Sequence, residues 1–359
     1  MLIDTPEALH DAVGSLAGRD WLTVDTEFVR EETYWPQLCL IQVGDGQREI
    51  AVDATRISDL SPLLDLLQQP TTVSVFHAAS QDLEIFVRLR GVTPTPLFDT
   101  QIAASLLGIG DQLGYAGLIE KRLGIKVDKS LSRTNWARRP LSSAELAYAE
   151  DDVRHLAVIY PQLRDELAHC GRLHWLQEDC ERLSQPARYQ VDPESAWERL
   201  KGLARLPAAA QHVAAALAAW RERVAEARDR PRKWILADDA LYRIAERQPV
   251  DADQLAALQV LPPKTLDRHG RELLTVVAQA RDGGAPALAL EHIPSDAQKA
   301  RTQQLLNRVR EVANQLGIPA SLLGPRADVE SVALHAEQAD VPLLQGWRRE
   351  VVGEALLKL

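Results

Sequence analysis

Two acidic residues stand two positions apart in a stretch that otherwise has the composition of a buried strand, Trp21–Val29. Because side chains alternate along a strand, Asp25 and Glu27 point to the same face and their carboxylates lie side by side. Ionised carboxylates this close repel each other, and burying them is costly unless a cation compensates. The stretch alone leaves two explanations open: a divalent-metal site, or the solvated face of an edge strand.

A third acid is predicted on a helix that follows. The helix is predicted to begin at Ser80, its expected N-cap, and to bury Leu83 and Phe86. At about 100° per residue, Asp82 lies beside this apolar stripe, whereas Glu84 points away from it. Asp82 is therefore a candidate site residue, although stabilisation of the first helical turn by an acid explains it as well.

The fourth acid lies on a helix with a clear start, because the segment Ser142–Glu145 has the sequence of a capping box. Tyr148, Asp152 and Leu156 then share one face of the helix at a spacing of four, while Asp151 points elsewhere. A tyrosine and an aspartate on the core-facing side are unfavourable unless they have partners.

The predicted chemistry follows from the four inward-facing acids, Asp25, Glu27, Asp82 and Asp152. Carboxylates without clustered cysteine or histidine favour Mg²⁺ or Mn²⁺ over Zn²⁺. Two such ions about 3.5–4 Å apart can activate a water and stabilise the leaving oxygen during phosphodiester cleavage. The sequence therefore predicts two divalent metal ions in one active site.

The segments between these acids predict a mixed sheet flanked by helices, an α/β fold. Leu38–Val43 and Glu49–Val52 are strand-like and joined by a hairpin connection, which gives three adjacent antiparallel strands together with the first. A helix over Leu60–Leu67, a strand over Thr72–Phe76 and a strand-to-helix step capped by Asp99 continue the alternation.

Composition bounds the class of protein. With 359 residues and 46% hydrophobic content, the chain is expected to form two to three packed domains. Three cysteines without Cys-x-x-Cys spacing argue against a disulfide framework or a thiolate metal site. Neither a signal peptide nor a membrane-spanning run is recognisable, so a cytoplasmic chain without a membrane partner is expected.

Charge distribution indicates a nucleic-acid partner despite the net charge of −10. Residues 121–139 contain seven basic side chains and a single acid, Asp128, so a phosphate-binding track is one explanation and a solvated basic face the other. Four residues of this segment are candidate substrate contacts: Lys129, Trp136, Arg138 and Arg139. For Trp136, stacking on a base and anchoring the core are both open.

The second half of the chain is helical and alanine-rich, with a weak internal repeat. Trp220–Ala225 leads to Pro231, and Val309–Ala313 leads to Pro319 at an offset of roughly 90 residues, which indicates two similar helical domains. A second basic cluster lies in the first copy: Arg228, Arg230, Arg232 and Lys233.

Four motifs resemble the 3′-to-5′ exonucleases of the DEDD superfamily, and within it the ribonuclease D family: Asp25-Thr26-Glu27, His77–Glu84, Phe98–Gln101 and Tyr148–Asp152. The spacing from Tyr148 to Asp152 is that of the tyrosine subclass. Arg230–Leu236, followed by Asp239–Leu241, resembles the HRDC domain.

The resemblance implies a ribonuclease-H-like exonuclease domain followed by two all-α HRDC-like domains. Five residues are implied to be catalytic, the acids as ligands of two metals and the tyrosine as a group that orients or deprotonates the attacking water: Asp25, Glu27, Asp82, Tyr148 and Asp152. Three more are implied to bind substrate: Thr26, Phe28 and His77. The products would be nucleoside 5′-monophosphates, and the substrates RNA, notably the 3′ trailers of tRNA precursors.

For the helical half, the resemblance implies accessory RNA binding, for which Arg230, Arg232 and Lys233 are the candidates. The second copy has Gly317–Ser321 where the first has charge, so packing and spacing alone are an equal alternative there. The expected domains are 1–170 (exonuclease), 171–204 (linker and connecting helix), 205–284 (first HRDC domain) and 285–359 (second HRDC-like domain).

Two other functions stay open at this point. The same chemistry serves DNA exonucleases, because a single-strand groove binds either backbone. A nucleic-acid-binding scaffold with a vestigial catalytic fold is the alternative outside enzymes, although the intact acids and Tyr148 count against it. A monomer without an obligate protein partner is expected from the resemblance.

Overall fold

The computed structural model describes residues 1–128, 130–132, 134–283 and 295–359. They divide into two units, the first formed by Met1–Val29, Leu38–Tyr189 and Pro294–Leu359, the second by Arg30–Gln37 and Gln190–Ile293. Among the described helices, none is both long enough and apolar enough to span a membrane.

The first unit contains a six-stranded mixed sheet, as predicted. Its strands are β1 (Leu2–Ile3), β2 (Trp21–Val29), β3 (Gln37–Gly44), β4 (Glu49–Asp53), β5 (Val73–Phe76) and β6 (Leu97–Asp99). The order across the sheet is β1-β4-β3-β2-β5-β6. β3 and β4 form the predicted antiparallel hairpin, whereas β1 on β4, β5 on β2 and β6 on β5 are parallel pairs. The acid-bearing strand β2 is thus an interior strand with neighbours on both sides, and not an edge strand.

Seven helices accompany the sheet: α1 (Pro6–Leu16), α2 (Ser61–Leu66), α3 (Ser80–Arg90), α4 (Thr100–Leu106), α5 (Tyr115–Leu123), α6 (Ser143–His169) and α7 (Leu173–Leu183). The capping box at the start of α6 and the Asp99 N-cap of α4 are both confirmed. The predicted N-cap of α3 is wrong: Ser80 is already helical, and Ala79 occupies the cap position without a side-chain hydrogen bond.

The C-terminal helices belong to the same unit as the sheet: α13 (Asp296–Leu316), α14 (Ala320–Leu323), α15 (Arg326–His335), α16 (Gly346–Arg348) and α17 (Glu354–Leu357). Their apolar faces join the hydrophobic core of the sheet domain. Trp347 stacks on Trp175 of α7 with ring centroids 4.4 Å apart and an interplanar angle of 8°. Beside them, Arg348 forms a buried ion pair with Asp179.

The described residues of the second unit form five helices and two short 3₁₀ turns: α8 (Ala208–Arg228), α9 (Arg232–Ile235), α10 (Asp238–Arg247), α11 (Ala252–Ala257), α12 (Pro263–Asp282), Pro193–Arg199 and Leu203–Arg205. A further 3₁₀ turn, Pro186–Tyr189, belongs to the first unit. Its core also includes Tyr34, which is 2% exposed and comes from the segment Arg30–Gln37 that follows β2. The hydroxyl of Tyr34 donates to Glu222, and Asp229 accepts from the backbone N–H groups of Tyr34 and Trp35 at 3.0 Å each.

The internal repeat corresponds to repeated secondary structure. The helices α8, α9 and α10 contain 21, 4 and 10 residues, and α13, α14 and α15 repeat these lengths in the same order. The predicted repeat is therefore confirmed in helix order and length, while its division into two separate helical domains stays a prediction.

Candidate active site

Three of the predicted acids come together. Carboxylate oxygens of Asp25, Glu27 and Asp152 all lie within 4.8 Å of one another. Asp25 and Glu27 share a face of β2, and Asp152 reaches the same place from α6. The group thus forms because strand alternation and helix periodicity direct the side chains to one point.

Asp82, from the first turn of α3, lies at the same cavity but outside this close group. It is 8% exposed, and its Oδ1 accepts a hydrogen bond from the hydroxyl of Thr26. Thr26 therefore contacts one of the acids, although the sequence had placed it among the substrate-binding residues. The hydroxyl holds the Asp82 carboxylate toward β2.

The acids line a cavity of about 340 Å³, whose walls are formed by Asp25, Thr26, Glu27, Phe28, His77, Ala78, Gln81, Asp82, Tyr115, Tyr148, Asp152 and Leu156. Among these described residues there is no lysine or arginine. Negative charge in the cavity therefore has no neutralising side chain in its own wall.

Two hydroxyl groups contact the backbone carbonyl oxygens of α6 at and beside Asp152. The Thr23 hydroxyl on β2 lies 3.0 Å from the carbonyl oxygen of Val153. On the other side, the Tyr115 hydroxyl lies 2.8 Å from the carbonyl of Asp151 and 3.0 Å from that of Asp152. The Thr23 contact fixes α6 relative to β2, which carries the other two acids, and the Tyr115 contacts fix α6 relative to α5.

Burial and mutual repulsion disfavour the charged forms of all four acids. Burial first, and repulsion from Asp25 and Asp152 next, raise the pKa of Glu27 to about 10. Burial and the neighbouring Asp151 raise the pKa of Asp152 to about 7. The pKa values of Asp25 and Asp82 are raised well above their ordinary range, again chiefly by burial. The protein alone therefore does not stabilise this cluster in its ionised state.

The donor set fits a hard divalent cation. It offers only oxygen ligands, three of them close together, without a competing cationic side chain among the described wall residues. A bound cation would stabilise the ionised carboxylates that burial and repulsion otherwise disfavour. Oxygen-rich sites of this kind suit Mg²⁺ or Mn²⁺.

Tyr148 lies one helical turn before Asp152 and is half-buried in the cavity wall. Burial, followed by the negative charge of Asp152, raises its pKa above the ordinary value of a tyrosine. Without a cation the phenol is therefore protonated at neutral pH and able to donate a hydrogen bond.

Of the predicted substrate contacts in the first unit, Phe28 and His77 line the cavity. The base-stacking prediction for Trp136 is corrected: the residue is 2% exposed and its ring packs near Tyr148, with centroids 6.1 Å apart. Because no face of the indole is free, Trp136 has the core role that the sequence had left as the alternative.

The basic segment is only partly available for phosphate. Arg139 is committed to Asp53 through two hydrogen bonds of 2.6 Å, which corrects its predicted role as a phosphate contact. Arg138 donates to Glu145 at 2.8 Å but keeps an exposed side chain. Lys129 lies outside the described residues.

In the second unit, Arg232 is also committed. It donates to both carboxylate oxygens of Glu222 at 2.5 Å, and its guanidinium lies 4.6 Å from the centre of the Tyr34 ring. This internal network corrects its predicted role in accessory RNA binding. Arg230 and Lys233 remain exposed at the surface.

The sequence missed Tyr115 and Gln81, which both line the cavity. Tyr115 follows a glycine-rich loop at the start of α5, where no periodic pattern indicates which way the ring points. Gln81 precedes Asp82 within the motif His77–Glu84, so its place in the sequence indicates that it lies near the active site.

The mixed sheet and the carboxylate cavity define a class of protein, the 3′-to-5′ exonucleases. Residues 1–168 match the family described as 3′-5′ exonuclease, and residues 210–277 match the HRDC domain.

Comparison with individual proteins identifies the family within this class. The chain is 41% identical to the ribonuclease D of Gluconacetobacter diazotrophicus and 38% identical to that of Granulibacter bethesdensis, in each case over 100% of this chain and 92% of the relative. A crystal structure of Escherichia coli RNase D, described as an exoribonuclease involved in structured RNA processing, superposes with a TM-score of 0.92 at 31% identity, covering 100% of this chain and 97% of that one. The chain belongs to the ribonuclease D family of 3′-to-5′ exoribonucleases.

Proposed function

We propose that this chain shortens RNA from its 3′ end in the carboxylate cavity, releases nucleoside 5′-monophosphates, and acts in the cytoplasm as a monomer on the 3′ trailers of tRNA precursors and other structured RNAs. The observation that carries the catalytic part is the group of Asp25, Glu27 and Asp152 within 4.8 Å. The structured substrate is supported by the similarity to E. coli RNase D, an exoribonuclease involved in structured RNA processing.

Asp25, Glu27, Asp82 and Asp152 would hold two divalent ions. When bound, such ions supply Lewis-acid activation of a water and neutralise charge on the leaving oxygen. All four carboxylates would position these ions, and the hydroxyl of Thr26 would orient Asp82 for this role. Removal of any one carboxylate should therefore lower the rate far more than the stability of the fold.

Tyr148 would orient the attacking water. Its raised pKa favours hydrogen-bond donation over proton abstraction in the free protein, so positioning is the role that this side chain supports best. Phe28 and His77, on the wall of the same cavity, would contact the terminal nucleotide. Arg138, Arg230 and Lys233, which keep exposed side chains, would contact the RNA backbone farther along.

For the domain limits we propose residues 1–170 for the nuclease, 171–204 for the connection, and 205–284 and 285–359 for the two HRDC-like domains. Matches to the exonuclease family over 1–168 and to HRDC over 210–277 support the first and third of these.

The test is a product ladder. A 5′-labelled single-stranded RNA, its DNA counterpart and a tRNA with a 3′ extension are incubated with Mg²⁺, Mn²⁺ or chelator, and the products are resolved by length. We expect stepwise shortening of RNA from the 3′ end, faster than that of DNA and abolished by chelator. Equal rates on DNA would contradict the RNA preference, and shortening that persists in chelator would contradict the metal assignment.

A further inference from the structure

The carboxylate of Asp99 does more than cap the helix that it precedes. Asp99 is 2% exposed and accepts from the N–H groups of Gln101 and Ile102, at 2.8 and 3.3 Å, as an N-cap of α4. It also accepts from two residues of another segment, Ala78 at 3.2 Å and Ala79 at 2.9 Å. One buried carboxylate therefore joins the starts of α3 and α4, where the helix dipoles favour negative charge.

The next residue holds the same segment. The Thr100 hydroxyl lies 3.0 Å from the carbonyl oxygen of Phe76 and 2.9 Å from Nδ1 of His77. Asp99 and Thr100 together contact each of the four residues from Phe76 to Ala79. This loop joins β5 to α3, and His77 and Ala78 are part of the cavity wall.

The loop has a conformation that needs such support. Ala78 has a φ of 56°, in the left-handed region that a residue with a side chain rarely adopts. At the N-cap of α3, Ala79 offers no side-chain acceptor to the first turn. The Asp99 carboxylate thus holds the strained residue and the N-cap residue through their own N–H groups, immediately before the turn that carries Asp82.

We propose that Asp99 is a positioning residue of the active site: by holding Ala78 and Ala79 it fixes the start of α3, and thereby the direction of Asp82 and the wall formed by His77. The inference rests on the proposed function, in which Asp82 is a metal-binding acid. The alternative role is that of an ordinary N-cap, which would affect α4 alone.

Two substitutions separate these roles. Asp99→Ser and Asp99→Asn both keep a favourable N-cap residue for α4. Serine is too short to reach the loop and loses the contacts with Ala78 and Ala79. Asparagine replaces the oxygen that accepts from Ala79 by an N–H donor and loses that contact. Asp251→Ser is the matched control, because Asp251 caps α11 by accepting from the Gln254 N–H and is not one of the described residues that line the cavity.

The full-length variants are compared by kcat and KM on short single-stranded RNA, and by the Mn²⁺ concentration that gives half-maximal thermal stabilisation of the chelator-treated protein. We expect Asp99→Ser and Asp99→Asn to lower kcat about 10- to 100-fold with little change in KM, and to raise the Mn²⁺ midpoint, as is typical when groups supporting metal ligands are removed. Asp251→Ser should change neither.

Wild-type kcat and an unshifted Mn²⁺ midpoint in both Asp99 variants would overturn the proposal and leave Asp99 as a cap. If Asp99→Ser fails to fold, Asp99→Asn decides alone, since asparagine keeps the oxygen that accepts from Ala78, Gln101 and Ile102; an unchanged kcat and midpoint in this variant would equally overturn the proposal. Failure of the wild type to shorten RNA would refute the proposed function instead, and the Mn²⁺ midpoints would still decide the role of Asp99.

Discussion

Replacing Asp152 by asparagine should make the metal-free protein more stable while it abolishes catalysis. Asp152 is 8% exposed, and its pKa is raised from 3.8 to about 7, chiefly by burial. A carboxyl group whose pKa is higher in the folded than in the unfolded chain contributes its full stability below the unfolded-chain pKa. This contribution is lost as the pH rises through the folded-state pKa. Without metal, the stability of the wild type is therefore lowest relative to that of Asp152→Asn above about pH 7.

The size of the effect follows from the same values. At 1.36 kcal/mol per pH unit, a rise from 3.8 to about 7 corresponds to roughly 4 kcal/mol above pH 7. At pH 5 less than half of this effect is present, because pH 5 is only about one unit above the unfolded-chain pKa of 3.8. Asp152→Asn should accordingly raise the free energy of unfolding by up to about 4 kcal/mol at pH 8, and by clearly less at pH 5.

The assay is thermal and denaturant unfolding in chelator at pH 5 and pH 8, followed by the same melts with Mg²⁺ or Mn²⁺. Asp165→Asn is the control, because it removes the same charge from the same helix at a position where the side chain is exposed and paired with Arg164, outside the cavity wall. It should change stability and rate only slightly. Metal should stabilise the wild type more than Asp152→Asn, since only the wild type keeps the full ligand set.

Two results would refute the reasoning. If Asp152→Asn is no more stable than the wild type at pH 8 without metal, burial and repulsion do not disfavour the charged carboxylate. If the variant shortens RNA at the wild-type rate, Asp152 is not a ligand that catalysis needs.

Three further predictions concern other contacts. Tyr148→Phe keeps the ring beside Trp136 but loses the hydroxyl, so the RNA-shortening rate should fall roughly 100-fold with an unchanged melting temperature; an undiminished rate would mean that the phenol only packs. Tyr34→Ala removes a buried ring from the helical unit and should lower its free energy of unfolding by about 3 kcal/mol in urea melts, whereas Tyr34→Phe should cost less. Arg348→Met leaves Asp179 buried beside the Trp347 indole N–H and Arg182 but without the guanidinium that donates to both of its oxygens, and should destabilise the first unit by about 3–5 kcal/mol. The double change with Asp179→Leu should recover much of this loss; no recovery would mean that the loss does not come from the carboxylate left behind.

Local rules explain why the acid cluster could be predicted. Alternation along β2 placed Asp25 and Glu27 on one face, and helix periodicity placed Asp152 on the inward face of α6; each rule acts within a single element. The capping box of α6 was recognisable for the same reason, because its two partners are three residues apart.

The partners of the arginines could not be predicted, because they depend on long-range packing. Arg139 pairs with Asp53, which is 86 positions earlier, and no local pattern contains that choice. A guanidinium in a basic run is equally suited to a phosphate or to a buried carboxylate, and only the folded chain decides between them. The same holds for Trp136, whose ring the fold encloses.

The composition of the first unit has a consequence for how the protein is made. The core around the sheet is shared with α13 to α17, and the segment Gln190–Ile293, which includes α8 to α12, lies between the two parts in the chain. Because synthesis proceeds from the N-terminus, the residues that carry the acids emerge well before those that complete their core. The nuclease unit therefore acquires its full packing only late in translation, after the intervening helices have left the ribosome.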